Sequence, residues 1–318
     1  MCYSAEIRAE YERYRALFGA VISIKEYVRT FWSRREMRLQ IPKAMELNVL
    51  ASGDPALDAA KKAIHEFNTS EATRLEQELF KQRARLVEAE RKLSVKETKA
   101  ALESQRIATN KVEWALGKLS DLRRTELKPR DSRIFPGWYA PVMVMEDGKP
   151  VVKPMRYQCR PAGKPAIYDT KYPGTYNARR DNLEGFWKGQ FGHTHGVMVV
   201  TSFYENVNRH RAEGRELAPD EEVENLVLQF KPRPEQEMLV ACLWSRWIAG
   251  DGEELLSFAA ITDEPPPEVS AAGHDRCIIP IKHESVETWL NPEGASLKAM
   301  YDILDDRPRP YYEHRLAA

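Results

Sequence analysis

Pro136-Gly137-Trp138-Tyr139-Ala140-Pro141-Val142-Met143-Val144-Met145-Glu146-Asp147-Gly148-Lys149-Pro150-Val151-Val152 is where the chain changes texture. Two apolar runs flank Asp147-Gly148, a dipeptide suited to the positive φ values of a tight hairpin turn. The stretch reads as a β-hairpin. Beyond it, short apolar runs at 196–203, 226–230, 238–244, 255–261 and 277–281 predict further strands, punctuated by proline-rich links at 232–234 and 265–267. Ser285 is a candidate cap for a helix starting over 285–290, and the tail after Pro308 reads as an extended surface segment. A run of short strands with turns between them predicts a mainly antiparallel β domain.

Upstream of the hairpin the pattern is helical. Residues 5–50 carry helical spacing interrupted at Pro42, with Ile7, Tyr11, Tyr14, Leu17 and Phe18 as the apolar stripe. After a turn cluster at 52–55, residues 56–113 contain neither Gly nor Pro and are rich in strong helix formers, which predicts one or two long helices ending near Gly117. Leu79, Leu86, Leu93, Ala100, Ile107 and Trp114 recur every seven residues, but Gln82, Lys96, Glu103 and Asn110 occupy the companion positions. That is one seam, as in a helical hairpin packed on itself or on the main domain. The expected fold class is therefore α+β, mainly antiparallel β with an inserted helical hairpin. Residues 1–19 and 131–292 are expected to form the main domain, 20–130 the inserted module and 293–318 a C-terminal tail. For the insert, whose charges are mixed in sign, a solvated face, DNA binding, a protein partner and self-association all remain open.

The chain has 318 residues, enough for a sizeable core. Lys+Arg and Asp+Glu both number 48, which excludes a globally basic nucleic-acid binder but not a local basic face. The four cysteines show no zinc or Cys-x-x-Cys spacing, as expected of a reduced, cytoplasmic protein. No apolar run reaches the length of a membrane span, and residues 1–20 are too charged for a signal peptide. His193-Thr194-His195 shares a strand face but has no third ligand nearby, so neither a metal nor a cofactor is expected.

Four short stretches carry chemistry. Removal of Met1 is expected to leave Cys2 as an N-terminal cysteine, whose amine and thiol sit on adjacent carbons and both react near neutral pH. Such a pair condenses with an aldehyde to a Schiff base and closes a thiazolidine, which no internal cysteine can do. Residues 149–180 hold eight Lys and Arg against one Asp, a net of +7, interleaved with four tyrosines. Such a face either grips single-stranded nucleic acid, phosphates on the cations and bases on the rings, or is a solvated basic loop. Within it, Asn177-Ala178-Arg179 offers a carboxamide and a guanidinium fork. Glu205 follows an apolar strand, and His274 precedes another, flanked by Asp275 and Arg276; both are candidate proton carriers.

In chain order, Cys2, Asn177-Ala178-Arg179, Phe203-Tyr204-Glu205 and His274-Asp275-Arg276 resemble the SRAP family, the SOS response-associated peptidases or abasic-site processing proteins. The flanks agree. Residues 136–141 resemble the family's N-x-A-P segment, Met155-Arg156-Tyr157 its M-R-W-G, residues 239–244 its F-A-G-L-W strand, and residues 258–262 a later strand. The resemblance covers residues 1–10 and 131–292 and implies a β-barrel core. It also implies a protein that traps ring-opened abasic sites in single-stranded DNA as a thiazolidine crosslink and works in the cytoplasm, nucleoid-associated on DNA. Cys2 would be the nucleophile, Asn177 would position the amine or sugar, Glu205 would shuttle protons, and His274 would help open the sugar ring. Arg179, with Arg180, Arg156, Trp138 and Tyr204, would contact DNA. A cysteine peptidase built on Cys2, His274 and Asn177, in its mildest form acting only on its own Met1, is the alternative; a non-catalytic single-strand or partner-binding protein is another. The start Met1-Cys2-Tyr3-Ser4 departs from the family's Met-Cys-Gly-Arg, so a phosphate-binding arginine is absent. Asn206 stands where an aromatic residue usually follows the glutamate, and residues 20–130 far exceed the usual connection.

Overall fold

The computed structural model describes residues 3–250 and 252–317. Its first element is a strand, β1 (Ser4–Ile7), which corrects the helical reading of residues 5–7. Ala5 and Ile7 are both buried at a period of two, because β1 pairs antiparallel with residues 200–204. Helix α1 (Tyr11–Phe18) ends at Gly19, whose φ of +63° supplies the left-handed C-terminal turn. Tyr14 joins α1 to the sheet: its hydroxyl donates to the Pro141 carbonyl (3.1 Å) and accepts from the Val199 N–H (3.1 Å). Strand β2 (Val21–Ile22), α2 (Ile24–Ser33) and α3 (Lys43–Ala51) follow. Tyr27, Phe31, Met45 and Val49 pack into the same core cluster as the sheet residues Met198, Val200 and Phe258.

The long helical stretch is a hairpin, α4 (Asp58–Val95) and α5 (Lys99–Arg123). The break needs neither Gly nor Pro: Lys96 turns extended, and the Thr98 hydroxyl caps α5 by accepting from the Ala101 N–H (3.2 Å). Gly117 lies inside α5, so the helix runs one to two turns beyond the predicted end. The seam also differs from the predicted one. The buried positions are Leu75, Gln82 and Ala89 on α4 and Ala101, Ala108 and Ala115 on α5, while Leu79, Leu86 and Leu93 are only half-buried beside them. Alanine every seven residues lets two helices approach more closely than leucine would. The Gln82 amide nitrogen donates to Glu78 (2.8 Å) from that buried position, while its carbonyl oxygen has no partner among the described residues.

After β3 (Arg133–Ile134) comes the hairpin, β4 (Tyr139–Glu146) and β5 (Lys149–Tyr157). Asp147 and Gly148 sit at φ +51° and +73°, the turn geometry the dipeptide predicts. Helix α6 (Tyr168–Lys171), β6 (Asn177–Arg179), β7 (His195–Asn208), α7 (Arg209–Ala212), β8 (Asn225–Arg233), β9 (Met238–Ile248) and β10 (Glu254–Asp263) continue the chain. Then come α8 (Pro267–Ala271), β11 (Cys277–Ile278), β12 (Pro280–Ile281), α9 (Val286–Leu290), α10 (Leu297–Asp305) and β13 (Tyr311–Leu316). Ser285 makes no side-chain cap to α9, and the tail after Pro308 is extended and mostly exposed as expected, with the added finding that it pairs with β8 as a strand.

The order β9-β10-β5-β4-β7, together with pairing of β7 back to β9, closes a barrel. The pairings are antiparallel except where β10 meets β5 and β6, and where β2 meets β5. Both faces of the wall are buried: Met198 and Val200 of β7 join one apolar cluster, Val197 and Val199 the other, with Trp289, Met300 and Leu304 from α9 and α10. Strand β7 is long enough to serve two neighbours. Its first half pairs with β9, and its second half leaves the ring to pair with β8 and β1. Glu205 lies on that second half.

Candidate active site

Glu205 is fully buried on β7 and follows Tyr204, the register partner of Ser4 in β1. His274 reaches it from the turn after α8. Gly273 makes that turn at φ +93°, and a Cβ there would meet the Arg211 Cβ at 3.0 Å. The His274 Nδ1 lies 2.8 Å from the Arg276 carbonyl oxygen and 3.3 Å from the Arg276 N–H; the shorter contact, to a group that can only accept, is satisfied when Nδ1 carries the hydrogen. Its Nε2 is then left facing the Glu205 Oε2 at 3.2 Å. One proton bridges that contact, as imidazolium–carboxylate or imidazole–carboxylic acid. Burial holds His274 below its ordinary value and so disfavours a standing imidazolium. The pair is assembled from two distant parts of the chain, and its geometry allows a proton to pass between carboxylate and imidazole.

Strand β6 brings up the Asn-Ala-Arg stretch, in parallel register with Ala260–Thr262 of β10. Asn177 is buried and accepts from the Tyr157 hydroxyl at 3.5 Å. Arg179 points to solvent and grips Asp181 with two hydrogen bonds (2.5 and 3.1 Å). Asp181 lies 4.0 Å from Arg276, so the stretch holding Asn177 and the one holding His274 meet through this carboxylate. An exposed ion pair of this kind costs little to exchange for a phosphate.

The other predicted DNA contacts divide. Arg156 and Arg160 share Asp169 (2.7 and 2.5 Å); burial pulls that carboxyl up, but the two guanidiniums hold it below its usual range. Arg180 binds Asp305 (2.7 Å) and lies over Tyr301, both on α10. Arg156 and Arg180 are thus each held in an ion pair, and the net charge of residues 149–180 overstates the free positive face. Trp138 and Tyr204 remain near the start of the chain. The Tyr204 hydroxyl accepts from Gln229 (2.9 Å), and the Arg133 guanidinium stacks on its ring at 3.8 Å. Arg133 also donates from Nε to the Ser4 hydroxyl (3.0 Å). Sequence reasoning missed Arg133, and no local signal marks it, since 129 positions separate it from Ser4.

Cys2 lies outside the described residues. Cys159, Cys242 and Cys277 are buried, and burial pushes all three thiols up, Cys159 to about 12. None of these is a usable nucleophile. No metal-binding cluster of three or more His, Cys, Asp or Glu occurs among the described residues. His195 has both ring nitrogens engaged, Nδ1 with the Trp289 carbonyl (3.0 Å) and Nε2 with the Gly192 N–H (2.8 Å).

The closed barrel thus presents, on its longest strand, a buried glutamate to a histidine. The model of the SRAP family (SOS response associated peptidase) matches residues 92–316, and the chain belongs to that family. Membership ties it, at that coarse level, to the response to DNA damage and to a family named for peptidase activity. Cys2 precedes the matched residues. Solved structures of similar fold include a protein from Bordetella bronchiseptica, 15% identical, with 59% of this chain and 87% of that one covered at a TM-score of 0.47. One from Bacteroides thetaiotaomicron is 15% identical over 59% of this chain and 78% of that one, TM-score 0.47. A phage-related protein from Bordetella bronchiseptica is 16% identical over 62% and 85%, TM-score 0.44. No curated protein matches the chain. No helix among the described residues is long and apolar enough to cross a membrane.

Proposed function

We propose that this protein traps ring-opened abasic sites in single-stranded DNA through Cys2, once Met1 has been removed. The observation that carries the reading is the buried Glu205–His274 pair, one residue along β7 from the register partner of Ser4. Two chain steps, at most about 7 Å, separate Cys2 from Ser4 on the strand that pairs beside Glu205. The inert state of the three buried thiols supports Cys2 as the reacting one.

The chemistry balances without a cofactor. The Cys2 amine adds to the C1′ aldehyde and gives a carbinolamine. Glu205, holding the shared proton, donates it to the departing hydroxyl, and water leaves as the imine forms. The Cys2 sulfur then adds to the imine carbon, its proton passing to nitrogen, and closes the five-membered thiazolidine. His274, its Nδ1–H fixed on the Arg276 carbonyl, takes up and returns the proton at Nε2. Arg179 exchanges Asp181 for a backbone phosphate, Asn177 positions the amine or the sugar, and Arg133 provides beside Ser4 the positive charge that position 4 lacks.

A peptidase in which Asn177 orients His274 draws less support, because the Arg276 carbonyl already orients that imidazole. The test is incubation of Met1-processed protein with a single strand containing one abasic site, followed by denaturing electrophoresis. A covalent band that is lost in Cys2→Ala and kept in Cys242→Ala is expected. Its absence in the unmodified protein, with Met1 shown by intact mass to be removed, would overturn the reading.

A further inference from the structure

The helical module carries a basic cleft that the chemistry above does not use. It lies between the segment following α2 and the face of α4, with a volume of about 1010 Å³. Arg34, Arg35, Arg38 and Arg74 line it, against a single acid, Glu71. Two of the four cations are neutralised where they stand: Arg34 by Glu46 (2.7 Å), while lying over the Phe67 ring, and Arg74 by Glu71 (2.5 Å). Arg35 and Arg38 are exposed and have no carboxylate partner among the described residues, and Glu36 between them does not line the cleft. Arg38 is moreover held at φ +52°, a left-handed backbone that a non-glycine residue rarely adopts.

A path joins this cleft to the start of the chain. Tyr3, Phe135 and Trp138 form a row of half-exposed rings, with centroids 5.8 and 5.6 Å apart. Trp138 lines a second cleft together with Gln40, Ile41, Phe67 and Arg34, and those last four also line the basic one. Rings that stack bases, followed by cations that hold phosphates, make up a single-strand binding track.

We propose that the DNA strand flanking the reacting sugar runs over Tyr3, Phe135 and Trp138 and sets its phosphates against Arg35 and Arg38, so that the helical insert extends the nucleic-acid site. This rests on the reading of the protein as a single-strand DNA reagent, but its test uses DNA without an abasic site. Failure of the crosslink therefore leaves the test intact.

Fluorescence anisotropy of a labelled, unmodified strand of about 20 nucleotides, longer than a single binding fold covers, reads the track directly. For the Arg35→Ala/Arg38→Ala variant of the full chain, affinity is expected to fall about tenfold. The slope of log K against log salt is expected to lose about 1.4, two single-strand phosphates at about 0.7 each. The Arg35→Lys/Arg38→Lys variant keeps the slope. Because both side chains are exposed, an unchanged melting temperature shows that the fold survives. An alanine variant with unchanged affinity and slope overturns the proposal. So does polyglutamate that binds as tightly as DNA with the same dependence on Arg35 and Arg38, which would assign the cleft to an acidic protein.

Discussion

Glu205 on β7 and His274 in the turn after α8 meet at 3.2 Å, both shielded from solvent, and the histidine's far nitrogen is fixed by the Arg276 carbonyl. A buried carboxyl and a buried imidazole sharing one proton act as a unit: the pair can hand a proton out and take it back without solvent.

Removing either member is therefore expected to cost about the same as removing both. Glu205→Gln and His274→Ala should each slow crosslink formation by roughly 100-fold, the low end for a positioned acid–base group, and the double variant should be little worse. Single-turnover crosslinking rates check this. A double variant slowed by the product of the two single effects would show that the groups act independently.

Arg133 touches Ser4 and lies over Tyr204, and it is expected to serve as a phosphate anchor. Arg133→Ala should weaken binding to unmodified single strands and lower the salt slope by about 0.7, while Arg133→Lys restores the slope but not the stacking on Tyr204. Titrations at several salt concentrations separate the two variants.

His195 gives a stability prediction that is independent of DNA. Burial depresses it to about 3, below its ordinary value near 6.5, and the hydrogen bond to the Trp289 carbonyl offsets only part of that. A depressed histidine stabilises the fold fully above the unfolded value, and that contribution is lost as pH falls from about 6.5 towards 3. Within that window it should destabilise the protein by about 1.4 kcal/mol per pH unit. Denaturant unfolding of the wild type and His195→Gln across pH 4–6.5 checks it: the variant lacks this component of the slope.

The α4–α5 seam depends on small side chains. Ala108 is fully buried there, and Ala108→Leu should cost about 1–3 kcal/mol by forcing the helices apart. Leu93→Ala, at a half-buried flank of the seam, should cost less. Chemical denaturation followed by circular dichroism ranks the two, and the reverse order would place the seam where the leucine spacing suggested.

Much of this protein was legible locally. The Asp147-Gly148 turn between two apolar runs, the short apolar runs that became β7 to β10, and the long stretch without Gly or Pro before Glu113 are each local patterns, so the sequence alone determined them. The ordered motifs around Asn177, Glu205 and His274 were legible for the same reason: each is a short local pattern. What only the tertiary structure decided are contacts between parts of the chain that lie far apart. Residues 4–7 became a strand because β7 offered an edge, overriding a helical spacing that Ile7 and Tyr11 satisfied equally well. The helical seam fell on Ala101, Ala108 and Ala115 because the antiparallel partner selects the face that packs closest. Arg156 and Arg180 were drawn to Asp169 and Asp305, and Arg133 was brought to Ser4, by strand register and ion pairing that no stretch of chain encodes on its own. Closure of the barrel, β7 against both β9 and β1, is what places a glutamate and a histidine from distant segments within reach of one proton.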